Sequence, residues 1–136
     1  AAPAYLARHQ GATALRACDW LGFEETLSHL RSARWVEAKV PKESIVYRAD
    51  SLLALQAAAR AGMGVTALPC YLGDPDPGLR RVHPPLAEME TALWLLTHPD
   101  LRRVARIRSV LDFLARHLAK RRALIEGRAE GVSSES

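Results

Sequence analysis

Cysteine is scarce in this chain. Cys18 and Cys70 are the only two in 136 residues, and neither stands in a Cys-x-x-Cys or Cys/His ligand spacing. Together with the missing export signal, this predicts reduced thiols and a cytoplasmic protein. The five histidines, His9, His29, His83, His98 and His117, are scattered. None forms an HExxH or an i, i+4 pair, so no metal is expected. No apolar run approaches the roughly 18 residues of a membrane-spanning helix, and no membrane partner is expected. Ala1-Ala2-Pro3 carries neither a basic region nor an apolar core, so no signal peptide is expected there. It also lacks an initiator Met, so we expect a piece of something longer. There is no Gly-x-Ser-x-Gly elbow and no phosphate loop. Gly62-Met63-Gly64 ends a helical pattern, whereas a dinucleotide loop must begin one. No catalytic constellation and no cofactor are expected.

What is present is ordinary for one globular domain: 49% hydrophobic and 25% charged residues. The net charge of +4 is unevenly placed. From Leu101 onward there are nine Lys/Arg against four Asp/Glu, and ten against eleven before it. The basic residues, including Arg102, Arg103, Arg106, Arg108, Arg116, Lys120, Arg121 and Arg122, lie on a helical pattern without stacking aromatics. They read as a solvated face rather than a nucleic-acid site.

The pattern along the chain predicts an α/β order. A short helix covers Ala4 to His9 behind Pro3, and Ala14 to Ala17 is a weak further turn. Trp20-Leu21-Gly22-Phe23 reads as a strand broken by Glu24 and Glu25. Ser32 is placed to cap a helix carrying Ala33, Trp35, Val36 and Ala38, which Pro41 ends. Ser44 to Ala49 is rich in β-branched residues and reads as a strand. Asp50 or Ser51 then caps a helix from about Ser51 to Ala61, with Gly62 at its left-handed end. Val65 to Leu68 is a short buried strand. Tyr71 to Gly78 is a loop by composition, Leu79 to Val82 a short edge strand, and Leu93-Trp94-Leu95-Leu96 a strong strand within Glu90 to Thr97. A long helix follows from Leu101 to Ile125, with apolar positions Val104, Ile107, Leu111, Leu114 and Leu118 at steps of three and four. Gly127 to Ser136 is expected to be a disordered tail. The order α-β-α-β-α-β-loop-β-β-α implies a mixed, mainly parallel sheet with helices on its faces.

The stretch from Asp50 to Pro69 resembles the effector-binding domain of LysR-type transcriptional regulators. It carries Asp50-Ser51 at a helix start, a small-residue helix, Gly62-Met63-Gly64, the apolar Val65 to Ala67, and Leu68-Pro69. Tyr5-Leu6-Ala7-Arg8-His9 is similar to the helix after that family's interdomain crossover. Asp19-Trp20-Leu21-Gly22-Phe23 is similar to its next strand. Trp94-Leu95-Leu96-Thr97-His98-Pro99 with an Arg-rich helix is similar to its return strand and last helix. The resemblance spans roughly Pro3 to Leu118. It implies an α/β, periplasmic-binding-protein-like (type 2) lobe, plus the return strand and C-terminal helix of the other lobe. Residues 1–126 would form a partial effector domain, with about 1–90 as the second lobe and 91–126 as the return elements.

In that family a winged helix-turn-helix, a linker helix and the first half of the effector domain come earlier. The resemblance therefore implies no direct DNA contact by this chain, with DNA reached through an N-terminal domain outside it. It also implies a small effector, a carboxylate or similar anion, held between lobes. Asp50 and Ser51 are the leading site residues, because a helix start offers free N–H groups and partial positive charge. Asp50 also competes for the same donors. Phe23 and Glu24 end the first strand, Pro69 and Cys70 follow a later strand end, and Thr97 ends the return strand near the hinge. Cys70 reads first as a small buried hydrophobe; a redox-sensing thiol with its pKa lowered by Arg48 across the strand end is the lesser reading. The alternative to a regulator's sensing part is a truncated or stand-alone solute-binding-like module that acts through dimerisation. With only one cleft wall in the sequence, a homo-oligomer or swapped lobe is expected.

Overall fold

The computed structural model describes residues 1–9 and 17–128. Its centre is a parallel pair, β1 (Trp20–Phe23) and β2 (Ile45–Ala49). Phe23 stands opposite Ala49, and an extra residue on β2 breaks the register after Trp20. All four β1 residues are buried, as a strand flanked on both edges and covered on both faces must be. On its other edge β1 meets Val65, whose N–H donates to Asp19 O and whose O accepts from Leu21 N, both at 2.9 Å.

Helices cover this core. In α1 (Pro3–Arg8), Tyr5 is buried and its hydroxyl accepts from Asp19 N at 2.8 Å. In α2 (Arg31–Lys39), Ala33 and Val36 face inward at a three-residue step. In α3 (Leu52–Arg60), Leu55, Ala58 and Ala59 do the same at steps of three and four. Tyr5, Leu21, Leu55 and Val36 are the largest fully buried side chains. Arg8 Nη2 donates to Gly62 O at 3.1 Å, which ties α1 to the end of α3.

Gly-Met-Gly has two separate jobs. Gly62 has φ +77°, the left-handed conformation that ends α3. Gly64 passes so close to β1 that a Cβ would lie 2.4 Å from Asp19 O. The first glycine turns the chain, and the second lets it rejoin the sheet.

Several expectations need correction. Val65 to Leu68 forms only a single bridge at Val65. The Thr66 hydroxyl donates to Leu21 O at 3.2 Å, the acceptor that the next ladder N–H would use. Leu79 to Val82 is no strand: Arg80 exchanges backbone bonds with Ala1, and Pro3 begins a helix too soon after for a ladder to grow. Leu93 to Leu96 pairs with no strand among the described residues, and Trp94 is 74% and Leu96 85% exposed. The long helix is divided into a 3-10 turn at Pro99–Arg103, α5 (Ala105–Lys120) and α6 (Arg122–Ile125). The His98 ring accepts from Asp100 N and starts the tight turn. Neither α5 nor α6 has a buried residue. Leu30, not Ser32, is the N-cap of α2, with no side-chain cap, so Ser32 sits inside the first turn. Within the expected loop, Cys70–Gly73 forms a helical turn, α4, behind Pro69. The turn at Ala14 to Ala17 and the tail beyond Gly127 lie almost wholly outside the described residues.

Candidate functional site

The chain direction of β1, β2 and the Val65 segment is shared, so their carboxyl ends open on one edge of the sheet. That edge is where open α/β sheets place ligands. Glu24 N donates to Ala49 O at 2.9 Å, which sets Glu24 beside the turn into Asp50 and Ser51. Ser51 is the N-cap of α3, and its Oγ accepts from Leu53 N at 3.3 Å. The first intrahelical bond is Leu55 N to Ser51 O, so the N–H groups of Leu52 and Ala54 stand ahead of it. Of the two caps the sequence allowed, Ser51 has the role and Asp50 is exposed beside it.

Phe23 and Glu24 line a groove of about 560 Å³ with Ser28, Arg34, Glu37 and Arg48. Its cations are engaged. Arg48 Nη1 donates to Phe23 O at 2.9 Å and pairs with Glu37. Arg34 Nη2 donates to His29 O at 3.2 Å. Arg48 therefore braces the end of β1 against α2.

Pro69 and Cys70 fall elsewhere, on a cavity of about 170 Å³ that none of Phe23, Glu24, Asp50 or Ser51 touches. Burial pushes the Cys70 thiol up, Asp74 adds to this, and Arg81 opposes it. A raised thiol pKa is the reverse of what a thiolate sensor needs. Thr97 is half-buried on the unpaired segment and lines neither the groove nor the cavity. The structure thus brings Phe23, Glu24, Asp50 and Ser51 to one edge and leaves Pro69, Cys70 and Thr97 apart from them.

Two clusters escaped the sequence reading. Asp76 is buried, and its carboxylate accepts from Gln56 Nε2 at 2.8 Å and from Gly78 N at 2.9 Å. This fastens the loop after α4 to α3. The signal was there: Asp-Pro-Gly is an Asx-turn sequence, and Gln56 is a polar residue beside the buried Leu55. The second cluster joins the C-terminal end to the body. Arg81 pairs with Asp74 and donates through Nη1 to Gly127 O at 2.9 Å. Nothing in the sequence spacing pointed to that contact.

Among the described residues no group of three or more His, Cys, Asp or Glu could hold a metal. No helix among them is long and apolar enough to cross a membrane. A family model described as the LysR substrate binding domain matches residues 1–119. No curated protein and no solved structure matches the chain.

Proposed function

Because the chain belongs to the LysR substrate binding domain family, we propose that it is the effector-sensing part of a cytoplasmic LysR-type regulator, binding a small anion between two lobes. Residues 1–90 form the second lobe in this reading, and 91–126 the return strand and helix of the first. The family is regulatory and binds ligands rather than turning them over, and its fold is periplasmic-binding-protein-like α/β.

One observation carries the site. The carboxyl ends of β1 and β2 open beside the Ser51-capped start of α3. The free N–H groups and helix dipole there favour a carboxylate. Glu24 and Asp50 border the same place and would repel a second negative charge, which favours a monoanion. The effector acts by preferring one lobe arrangement, since only differential affinity shifts such an equilibrium. DNA is reached through a separate N-terminal domain.

The test is a thermal-shift screen against small aliphatic and aromatic monocarboxylates. Saturable stabilisation is expected, with affinity about two- to fivefold weaker in Ser51→Ala, because a helix start without its cap frays and loses its fixed N–H groups. A cooperative melt that no carboxylate moves would count against the reading.

A second reading, a solute-binding-like module acting through dimerisation, is favoured by a different feature. Leu93, Trp94, Leu96, Val110 and Phe113 are all more than half exposed, and exposed apolar surface marks an interaction face where it is contiguous. Light scattering at micromolar concentration is expected to give a dimer or larger. A monodisperse monomer would contradict it.

A further inference from the structure

We propose that residues 91–126 form a strap, fastened at both ends to the body around β1, and that Arg81 and Gly127 are the latch that closes it. Not one residue from 91 to 126 is buried, whereas Gly127, the next along the chain, is. At the near end the 3-10 turn Ala87–Met89 packs on α2, and Arg31 Nη1 donates to Glu90 O. At the far end α6 packs on α4. A segment with few buried contacts costs little to open locally, so its ends decide whether it stays in place.

The latch is a carbonyl, a guanidinium fork and a glycine. Gly127 N donates to Leu124 O at 3.1 Å and Arg128 N to Ala123 O at 2.7 Å, the paired bonds that close a helix on a left-handed residue. Gly127 is that residue, with φ +68°. Its carbonyl accepts from Arg81 Nη1 at 2.9 Å. Both oxygens of Asp74 hold the other side of the Arg81 fork, so the donor is fixed independently of the strap. No side chain fits where Gly127 lies: a Cβ there would stand 2.7 Å from both Cys70 Sγ and Pro85 Cγ. A helix end alone would accept asparagine, but only glycine meets the conformation and the spacing together. One hydrogen bond and one close fit are small enough to open without unfolding the core. In the two-lobe reading above, the same latch limits how far the lobes can part.

The experiment compares backbone nitrogen relaxation of α5 with that of the core in the full chain. With the latch closed, the strap tumbles with the body, so the amides of α5 give the same rotational correlation time as those of Leu21 and Leu55. In Gly127→Ala the α5 amides should report a shorter time, with Leu21 and Leu55 unmoved. Gly127→Asn should do the same, because Asn tolerates the left-handed φ but still carries the Cβ. Iodoacetamide should label Cys70 about tenfold faster in Gly127→Ala, since Gly127 lies against the thiol and its left-handed φ penalises an L residue in the closed state. Should Gly127→Ala disturb the core amides as well, Arg81→Gln loosens the latch from the body's side and should free α5. An α5 that tumbles on its own in the unaltered chain overturns the proposal, and so does one that stays with the core in every folded variant. Neither result bears on the effector reading, which stands or falls on carboxylate binding.

Discussion

Replacing Gly64 by alanine isolates the close approach that completes the sheet. The new Cβ would stand 2.4 Å from Asp19 O and 3.0 Å from Asp19 C. Both are backbone atoms of the segment entering β1, so no flexible side chain can yield. The local backbone has to separate, and two bonds depend on it: Val65 N to Asp19 O and Leu21 N to Val65 O, each 2.9 Å. A net hydrogen bond is worth about 1 kcal/mol, and a buried group left unpaired costs about 1–3 kcal/mol. The expected loss is therefore about 2–5 kcal/mol, a large share of the roughly 5–15 kcal/mol that holds a domain. Gly62→Ala is the control. There the left-handed φ is the problem and space is not, with Arg8 Nη2 3.5 Å from the added Cβ, so about 1–2 kcal/mol is expected. Urea unfolding of both variants measures the difference. If Gly64→Ala proves no less stable than Gly62→Ala, the close-approach argument is wrong.

Asp76→Ala strands Gly78 N and one of the two Gln56 amide N–H groups, the other keeping Leu72 O, and removes the partner of Arg60. It should lose about 2–4 kcal/mol in urea unfolding, because bonds to a charged acceptor are the stronger kind. Asp76→Asn keeps a carbonyl acceptor and should lose less; equal losses would show that the buried contacts are not what matters. Alkaline stability has a definite sign. Burial pushes Cys18, Cys70 and Tyr5 up, so above the ordinary thiol value the unfolded chain has released protons that the native chain still holds. Stability is then whole below that value and falls as pH rises through the folded thiol values. The fall should be shallower in Cys18→Ala, and an unchanged pH profile would deny the burial of that thiol a role. For the same reason iodoacetamide should label Cys70 more slowly in the folded chain than in urea.

Local chemistry made much of the chain's first ninety residues legible. Trp20–Phe23 as a strand, Ser51 as one of two cap choices and Gly62 at a helix end all follow from rules that act within a few residues. The Gly-Met-Gly stop that closes the alanine-rich helix was read as punctuation, and the structure adds the contact with Asp19 that makes the second glycine necessary. The misreadings share one cause. A strand exists only where a partner offers a ladder, and apolar composition does not reveal the partner. Leu93 to Leu96 has the composition and no partner among the described residues. Leu79 to Val82 found only Ala1, and Val65 to Leu68 lost its ladder to a threonine hydroxyl. The candidate site divided for a similar reason. Phe23, Glu24, Asp50 and Ser51 are joined by strand register, which sequence order implies. Pro69 and Cys70, expected at the same rim, instead line the separate cavity together with Asp74 and Arg81.

The most direct test of the central claim is an amide chemical-shift titration with the monocarboxylate that stabilises the chain most. The account predicts saturable shifts concentrated at Leu52, Leu53 and Ala54, with Glu24 and Glu25 following, and their loss in affinity when Ser51 is replaced by alanine. Saturable shifts centred on the basic face of α5, with the Leu52–Ala54 amides unmoved, would contradict it.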